Sequence, residues 1–294
     1  MILSVSRRTD IPAFFGEWFF NRLKDGFVCV RNPFNKHMVS KIRLSVNEID
    51  CIVFWTKDAT NFTNYLPLID ELGYKYYFQY TITPYGKEIE PNVKDKNQVI
   101  DNFINLSKTI GKEKVIWRYD PILISKDISI DWHICQFEKM CGRLKGYTNK
   151  VVISFLDEYK KLDKSKFRTL NSQEMQELGT AFAKIAKDNG LKIQTCAESV
   201  DIEGIKKGAC IDKNLIEQIC GYPLNIKKDT SQREECLCSQ SVDIGEYDTC
   251  PHFCNYCYAN NNKSNIKNKL QQHNIKSPLL IGEILSTDKI YERK

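Results

Sequence analysis

Three closely spaced cysteines near the C-terminal end of the chain are the residues best suited to chemistry. Cys250, Cys254 and Cys257 have the spacing C-x3-C-x2-C, and an aromatic residue, Tyr256, precedes the last of them. Three thiolates at this spacing can bind three irons of one cubane [4Fe–4S] cluster, because cysteine thiolate is the ligand that such clusters use. The fourth iron would have no cysteine from this motif. An open iron can coordinate a small molecule, so the motif predicts catalysis rather than electron storage.

A structural zinc site is the alternative for these three cysteines. Zinc takes four ligands, commonly in pairs spaced two to four residues apart, and Cys236 or Cys238 could supply the fourth ligand. The x3/x2 spacing, the aromatic residue and the α/β pattern described below favour the iron–sulfur cluster over zinc.

The motif resembles the signature of the radical S-adenosylmethionine (SAM) superfamily, whose members bind SAM at the open iron. The continuation Tyr258-Ala259-Asn260 also resembles that superfamily, notably the members near spore photoproduct lyase. The superfamily usually has the motif near the start of its barrel, whereas here it lies close to the C-terminus. That placement resembles the uncharacterised bacterial family catalogued as domain of unknown function 1848. This likeness covers most of the chain and includes residues 6–12, residues 118–122 and the cysteine-rich end.

The resemblance to the radical SAM superfamily implies a reaction and a set of cofactor contacts. A reduced cluster would give one electron to SAM, which would yield methionine and a 5′-deoxyadenosyl radical that takes a hydrogen atom from an unknown substrate. A flavodoxin or ferredoxin would supply the electron, and Tyr256 would lie near the adenine. A basic or amide side chain would hold the SAM carboxylate, and an acidic or hydroxyl group would hold the ribose. The candidates for these contacts are Arg118, Gln79, Ser154 and Glu198.

The chain has twelve cysteines, and a second group of them follows a strand end or lies in turn-like segments: Cys196, Cys210, Cys236 and Cys238. Four thiolates could hold a second, closed cluster. Scattered buried cysteines are the alternative, because free cysteine often behaves as a small hydrophobe. Four more cysteines lie in apolar strands or on a helix and are predicted to be core residues: Cys29, Cys51, Cys135 and Cys141.

Short apolar runs alternate with amphipathic stretches along the chain, and glycines mark many of the joins. Strands are predicted over residues 1–5, 51–55, 75–83, 115–118, 151–155, 191–195 and 241–245. Helices are predicted between most of them, one over residues 10–24 and another opened by a capping box of Asn171 and Glu174. This alternation predicts βαβ units and a parallel sheet. Six or more such units favour a TIM-like parallel β/α barrel, complete or partial, over an open sheet.

The order of the elements predicts that the barrel is circularly permuted. If it closes with the strand at 241–245 beside the strand at 1–5, the cluster-bearing strand and loop come last. Residues 1–260 would then form a single barrel, with a hairpin insertion near 27–49 and a cysteine-rich region over 196–260. Residues 261–294 would form a C-terminal helix or tail that packs on the barrel or trails from it.

Polar residues follow several predicted strands, and the active site of a parallel barrel lies at the C-terminal ends of its strands. The guanidinium groups of Arg7 and Arg8 can each donate two hydrogen bonds to a phosphate or a carboxylate. An ion pair with Asp10, at the start of a capped helix, is the alternative. The predicted substrate-binding residues are Arg7, Arg8, Asp10, Lys57 and Asp120. An anionic substrate fits these residues, although they do not identify it.

The net charge of +6 is concentrated at the C-terminal end, because residues 261–294 carry +4 and the other 260 residues carry only +2. Two rival functions involve nucleic acid. A non-catalytic iron–sulfur or zinc protein that binds nucleic acid predicts a basic stripe with exposed aromatics, and the near-neutral body argues against it. A radical SAM repair enzyme like spore photoproduct lyase predicts salt-dependent DNA binding.

The chain shows no sign of membrane association or export. No stretch approaches the ~20 apolar residues that span a bilayer, and the N-terminal charges follow a very short apolar run, unlike those of a signal peptide. We therefore expect a cytoplasmic protein. In that compartment twelve cysteines argue for metal binding or redox chemistry over disulfides. The histidines show no paired spacing, and His37, His133 and His273 are predicted to lie on the surface.

Overall fold

The computed structural model describes residues 1–293 and shows an α/β fold with one large and one small sheet. The eleven strands among these residues, in chain order, are β1 (Ile2–Val5), β2 (Phe27–Arg31), β3 (Met38–Arg43), β4 (Cys51–Thr56), β5 (Tyr76–Thr81), β6 (Val115–Ile122), β7 (Lys150–Phe155), β8 (Lys192–Cys196), β9 (Lys206–Gly208), β10 (Val242–Asp243) and β11 (Lys289–Arg293).

The described part of the chain has eight α-helices: α1 (Ile11–Phe14), α2 (Gly16–Asp25), α3 (Leu66–Glu71), α4 (Lys96–Ile110), α5 (Ile130–Leu144), α6 (Ser172–Asp188), α7 (Lys213–Cys220) and α8 (Lys263–Leu270). Short 3-10 helices cover Thr63–Tyr65 and Lys112–Lys114. The predicted capping box at the start of α6 is confirmed. The Asn171 side chain accepts from the Glu174 amide at 3.0 Å, and the Glu174 carboxylate accepts from the Asn171 amide at 2.9 Å. Two of the helix's free N–H groups are satisfied in this way.

The large sheet confirms the prediction of a parallel α/β fold. Its strand order is β10-β1-β4-β5-β6-β7-β8-β9. The strand expected beside β1 is present, because β10 pairs with it in parallel through Leu3 with Val242 and Ser4 with Asp243. Within residues 1–293 the two edge strands, β10 and β9, are not paired with each other, so the sheet is not closed. These edges offer only two and three residues for pairing, so the barrel prediction is confirmed only as far as a large parallel sheet.

The chain divides into two compact units. The first unit contains Met1–Tyr77, Pro91–Val93 and Ser241–Lys294, and the second contains Phe78–Glu90 and Lys94–Gln240. In the first unit Phe54 of β4 packs edge-on against Phe19 of α2 and against Phe62, with ring centroids 5.6 and 4.8 Å apart. In the second unit Phe137 of α5 stacks on Phe182 of α6 with centroids 3.8 Å apart. Each unit therefore has its own aromatic core.

The small sheet belongs to the first unit and includes the end of the chain. Strands β2 and β3 form an antiparallel pair, and β11 pairs with β3 in parallel. Arg31 holds Asp288 with two hydrogen bonds of 2.8 Å each. The Trp18 indole donates to the carbonyl oxygen of Ser277 at 2.9 Å. The segment after residue 260 is thus tied to the hairpin through a strand that the sequence did not predict, because all five residues of β11 are exposed and give no apolar pattern.

Two predictions about helix α5 were wrong. His133 is fully buried, whereas Cys135 is exposed. The buried face of α5 includes His133, Phe137, Met140 and Leu144. Cys135 lies two residues from His133, which is about 200° around a helix of 3.6 residues per turn. The 3.6-residue period of the apolar residues on α5 therefore indicates a buried His133 and an exposed Cys135. Cys29, Cys51 and Cys141 are buried, as predicted.

His133 should make stability depend on pH. Its ring nitrogens lie 2.8 Å from the Tyr119 hydroxyl and 2.8 Å from the Leu123 carbonyl oxygen, and burial lowers its pKa from 6.5 to about 4. Below pH 6.5 the unfolded chain binds a proton that the folded chain does not, so stability falls as pH drops toward 4. The loss approaches about 3 kcal/mol at pH 4. Urea unfolding of the wild type and of His133→Gln between pH 7 and pH 4 checks this.

The His133→Gln variant should be less stable at pH 7 but should lose less stability on acidification. His37→Gln is the control, since the His37 side chain is 70% exposed. Equal slopes of unfolding free energy against pH in all three proteins would contradict the assignment.

None of the helices within residues 1–293 combines the length and apolar character that crossing a bilayer requires.

Candidate functional site

The cysteine motif (residues 250–257) lies in the first unit, in the loop that follows β10. Two non-glycine residues of this loop, Asp248 and Phe253, have left-handed backbone with φ of 60° and 55°. The Cys257 amide donates to the Cys254 carbonyl oxygen at 3.0 Å, which closes a tight turn around the last two cysteines. As whole residues, all three motif cysteines are of intermediate exposure. The motif is therefore a compact loop.

The three thiol groups of the motif influence one another. Burial raises the pKa of the Cys250 thiol well above its usual range, and the negative charges of Asp10, Cys257 and Cys254 raise it further. Cys254 and Cys257 therefore lie close enough to Cys250 for their charges to act on its thiol. A bound metal would reverse this shift, because a coordinating thiol loses its proton.

Asparagine side chains hold the backbone of the motif. Asn260 donates from Nδ2 to the Cys250 carbonyl oxygen at 2.9 Å, and Asn92 donates from Nδ2 to the Pro251 carbonyl oxygen at 2.7 Å. The Asn92 amide also donates to the His252 carbonyl oxygen at 3.2 Å. These bonds satisfy three consecutive carbonyl groups that a loop would otherwise leave to water.

Asp10 joins the motif to two other segments of the first unit. Its Oδ1 accepts from the Ala13 amide at 3.0 Å and so caps α1. Its Oδ2 accepts from the Lys57 amide at 2.7 Å and lies 2.9 Å from Nε2 of His252. His252 is only 4% exposed, and within residues 1–293 its Nδ1 has no hydrogen-bond partner. The predicted substrate-binding carboxylate is thus engaged in positioning the cysteine loop.

Asp243, which the sequence analysis missed, organises the ends of β1 and β10. Its carboxylate accepts from the hydroxyls of Ser4 and Ser6 at 2.8 and 2.6 Å, and from the amides of Arg7 and Gly245 at 2.8 and 3.0 Å. A carboxylate inside an otherwise apolar predicted strand was the available signal, since buried charges need several partners. The loop after β1 and the loop after β10 are fixed to each other by this residue.

The backbone at Gly245 leaves no room for a side chain. A Cβ atom there would lie 2.0 Å from Oγ and 2.6 Å from Cβ of Ser6. Gly245→Ala should therefore destabilise the protein by about 2 kcal/mol through overpacking. Gly142→Ala is the matched control, because nothing lies within 4 Å of its Cβ position on α5. That variant should be neutral or up to about 1 kcal/mol more stable. Thermal unfolding compares them, and equal midpoints would contradict the prediction.

The two predicted arginines lie against aromatic rings of the first unit. The Arg7 guanidinium carbon is 5.8 Å from the ring centroid of Trp55, and that of Arg8 is 5.2 Å from the ring of Tyr247. Arg8 also approaches Asp243, with Nε 3.9 Å from the carboxylate. Stacking on rings holds both guanidinium groups at defined positions.

Lys57 and Tyr256, predicted for substrate and for cofactor, are neighbours. The Lys57 ammonium is 5.7 Å from the ring centroid of Tyr256, and Tyr256 is 6% exposed. Because Tyr256 directly precedes Cys257 and the Lys57 ammonium lies over its ring, both side chains lie at the cysteine motif.

The remaining predicted site residues lie in the second unit, as do four cysteines: Gln79, Arg118, Asp120, Ser154, Glu198, Cys196, Cys210, Cys236 and Cys238. Ser154 and Glu198 form one pair among them. The Glu198 carboxylate accepts from the Ser154 hydroxyl at 2.9 Å and from the Phe155 amide at 2.8 Å. Burial raises the pKa of Glu198 to about 7.

The four cysteines of the second unit (the four-cysteine group) contact one another. Cys196 ends β8, Cys210 follows β9, and their sulfur atoms are 3.0 Å apart. The Cys238 sulfur accepts from the amides of Cys210 and Ile211 at 3.3 and 3.4 Å. Side-chain hydrogen bonds link Cys238 to Cys210 and to Cys236. The four thiols therefore form one continuous group.

Arg118 and Gln79, predicted to contact SAM, both contact Cys210. Arg118 is 6% exposed, and its guanidinium donates to the Cys210 sulfur and to the Asp120 carboxylate. Gln79 donates from Nε2 to the Cys210 carbonyl oxygen at 2.7 Å. Burial alone would lower the pKa of Arg118, but the charges of Cys210 and Asp120 outweigh it and raise the pKa. A permanent positive charge therefore lies against the four-cysteine group.

Comparison with known proteins gives the chain a family. The model of the family described as Domain of unknown function (DUF1848) matches residues 2–259. The chain belongs to this family. The predicted likeness to DUF1848 is confirmed, and the match includes both groups of cysteines. The curated proteins include no match to this sequence. A solved structure described as an alpha-L-fucosidase from Bacteroides thetaiotaomicron is 14% identical, covering 59% of this chain and 74% of that chain, with a TM-score of 0.27.

The candidate metal ligands of the DUF1848 protein are cysteine thiols. As the side chains stand within residues 1–293, no three or more His, Cys, Asp or Glu residues form a group that could hold one metal ion. A zinc ion needs four ligands at about 2.0–2.3 Å from one point. Cysteines that hold an iron–sulfur cluster can each bind a different iron. Soft thiolates select zinc, copper(I) or iron–sulfur clusters rather than magnesium or calcium.

Proposed function

We propose that this DUF1848 protein is a radical SAM enzyme that binds a [4Fe–4S] cluster through Cys250, Cys254 and Cys257. The observation that carries the proposal is the placement of these three cysteines in one loop after β10, where the Cys257 amide donates to the Cys254 carbonyl oxygen at 3.0 Å. Their spacing and the adjacent Tyr256 resemble the radical SAM signature. Three ligands for four irons leave one coordination site for SAM.

The proposed reaction needs a reduced cluster, an ordered loop and a positioned substrate. Cys250, Cys254 and Cys257 would hold the cluster, which, once reduced by a flavodoxin or ferredoxin, would supply the electron for cleavage of SAM into methionine and a 5′-deoxyadenosyl radical. Asp10 and His252 keep the cysteine loop in place. Tyr256 offers a ring to the adenine. Arg7 and Arg8, held on aromatic rings, offer cationic groups to the carboxylate of SAM or to an anionic substrate.

The fold supports a relation to the radical SAM barrels through circular permutation. In those barrels the motif usually lies near the start, whereas here it follows β10, which pairs with β1 at the edge of the sheet. Joining β10 ahead of β1 would restore the usual order of strand and motif. The proposed fold is therefore an open, permuted form of the partial barrel.

Anaerobic reconstitution tests the proposal. The protein is loaded with iron and sulfide and reduced with dithionite, SAM is added, and 5′-deoxyadenosine and methionine are followed by mass spectrometry. We expect both products in equal amounts. SAM that stays intact in the presence of a fully loaded, reduced cluster would contradict the proposal, and so would a protein that retains zinc in place of iron.

A further inference from the structure

The four-cysteine group has the donors for a second metal centre within the second unit. Cys196 and Cys238 come from different segments and meet at Cys210, whose sulfur contacts that of Cys196. Cys236 and Cys238 are buried, whereas Leu237 between them is 46% exposed. This alternation turns both sulfur atoms to the protein interior, as in an extended segment. An apolar core gives no reason to bury two cysteines and expose the leucine between them.

Positive charge and backbone donors lie against these sulfur atoms. Arg118 is buried and donates to the Cys210 sulfur. The Cys238 sulfur receives the amides of Cys210 and Ile211. Four thiolates on an iron–sulfur cluster carry net negative charge, and hydrogen bonds to the sulfurs help to set the properties of such a cluster. The surroundings of the group therefore suit an anionic sulfur-rich centre.

Two buried polar atoms beside the group lack partners. Oε1 of Gln79 and Oγ1 of Thr195 have no hydrogen-bond partner within residues 1–293, and the two residues are 1% and 2% exposed. Gln79 is bonded to the Cys210 carbonyl oxygen, and Thr195 directly precedes Cys196. Buried polar groups are seldom left unsatisfied, and an absent ion or ligand is one explanation for such atoms.

We propose that Cys196, Cys210, Cys236 and Cys238 bind a second [4Fe–4S] cluster, with Arg118 beside it. Four thiolates would occupy all four irons, so this centre would be closed and would not bind SAM. The sulfur atoms of Cys196 and Cys210 contact each other directly, so the cysteine side chains would have to rotate apart to bind a cluster. Arg118 and Gln79 would then belong to this centre rather than to the SAM site. The proposal does not depend on the assignment of the cysteine motif.

Iron content separates the two centres. The wild type, purified anaerobically and then reconstituted, should hold about eight irons and eight sulfides per chain. The triple variant Cys250→Ala/Cys254→Ala/Cys257→Ala should keep about four of each and should show one electron paramagnetic resonance signal on reduction. Adding Cys196→Ser and Cys238→Ser should remove this iron, whereas adding Cys135→Ser, at an exposed position on α5, should leave it unchanged. Circular dichroism verifies that each variant is folded.

Three results would overturn the second cluster. They are a folded triple variant without iron and sulfide, one zinc ion per chain in place of the cluster, or a Cys196–Cys210 disulfide found by mass spectrometry in protein kept free of oxygen. If the triple variant fails to fold, the wild type provides a second measurement, because a reconstituted wild type without bound iron and sulfide would also reject the proposal. A wild type with about four irons that cleaves SAM would reject the second cluster alone.

Discussion

Replacing Cys254 with alanine should abolish the formation of 5′-deoxyadenosine. Cys254 lies between the other two proposed ligands, Cys250 and Cys257, and its carbonyl oxygen closes the turn to Cys257. Two thiolates cannot hold a cluster as three can. Loss of a residue that only supports a metal ligand already costs roughly 10–100-fold in affinity or activity, so loss of a ligand should cost more than about 100-fold. Mass spectrometry of the reduced, SAM-treated protein measures the product.

Cys135→Ala is the matched control for this experiment. It removes one exposed thiol from α5 and should leave product formation unchanged. The cluster's absorbance should fall in Cys254→Ala and persist in Cys135→Ala, which links the loss of product to the loss of the cluster. If Cys254→Ala formed 5′-deoxyadenosine at the wild-type rate, Cys254 would not be a ligand of the proposed cluster.

Local sequence patterns predicted most elements of the large sheet, because period and capping depend on near neighbours. The capping box at Asn171 and Glu174 is such a case. The helix expected over residues 10–24 is instead two helices that meet at Phe15, whose φ and ψ are −131° and 24°. A Cβ atom on Gly16 would lie 3.0 Å from the Phe62 ring. The Phe62 ring that fills this space is 46 residues away in the chain, so no local pattern contains this contact.

Long-range hydrogen bonds explain what the sequence could not predict about the site. Residue chemistry and spacing identified the cysteines, Arg7, Lys57 and Tyr256 as candidate site residues. The sequence treated Asp10 as a substrate ligand, but it is bonded to His252, which lies 242 positions further along the chain. Sheet closure likewise depends on pairing between distant edge strands. Such contacts follow from the fold as a whole and leave no pattern in either segment.

Asp10→Asn should weaken the cysteine loop while keeping the cap of α1. Asparagine caps helices as well as aspartate does, so its side-chain oxygen can still accept from the Ala13 amide. The amide nitrogen would replace Oδ2, which now accepts from the Lys57 amide and contacts Nε2 of His252. A buried N–H left without an acceptor costs about 1–3 kcal/mol, and two donors lose theirs here. We expect the free energy of unfolding to fall by about 3 kcal/mol.

The same substitution should lower the affinity of the motif for iron, because His252 lies between the ligands Cys250 and Cys254. Supporting residues of metal ligands typically contribute 10-fold or more, so we expect roughly a 10-fold loss. Asp95→Asn is the matched control, since Asp95 caps α4 by accepting from the Asn97 amide at 2.9 Å at an exposed site. Urea unfolding and iron titration of both variants, made in the protein lacking Cys196 and Cys238, isolate the effect. If Asp10→Asn matched Asp95→Asn in both measurements, Asp10 would act only as a helix cap, and the loop would owe its position to Asn92, Asn260 and Asp243.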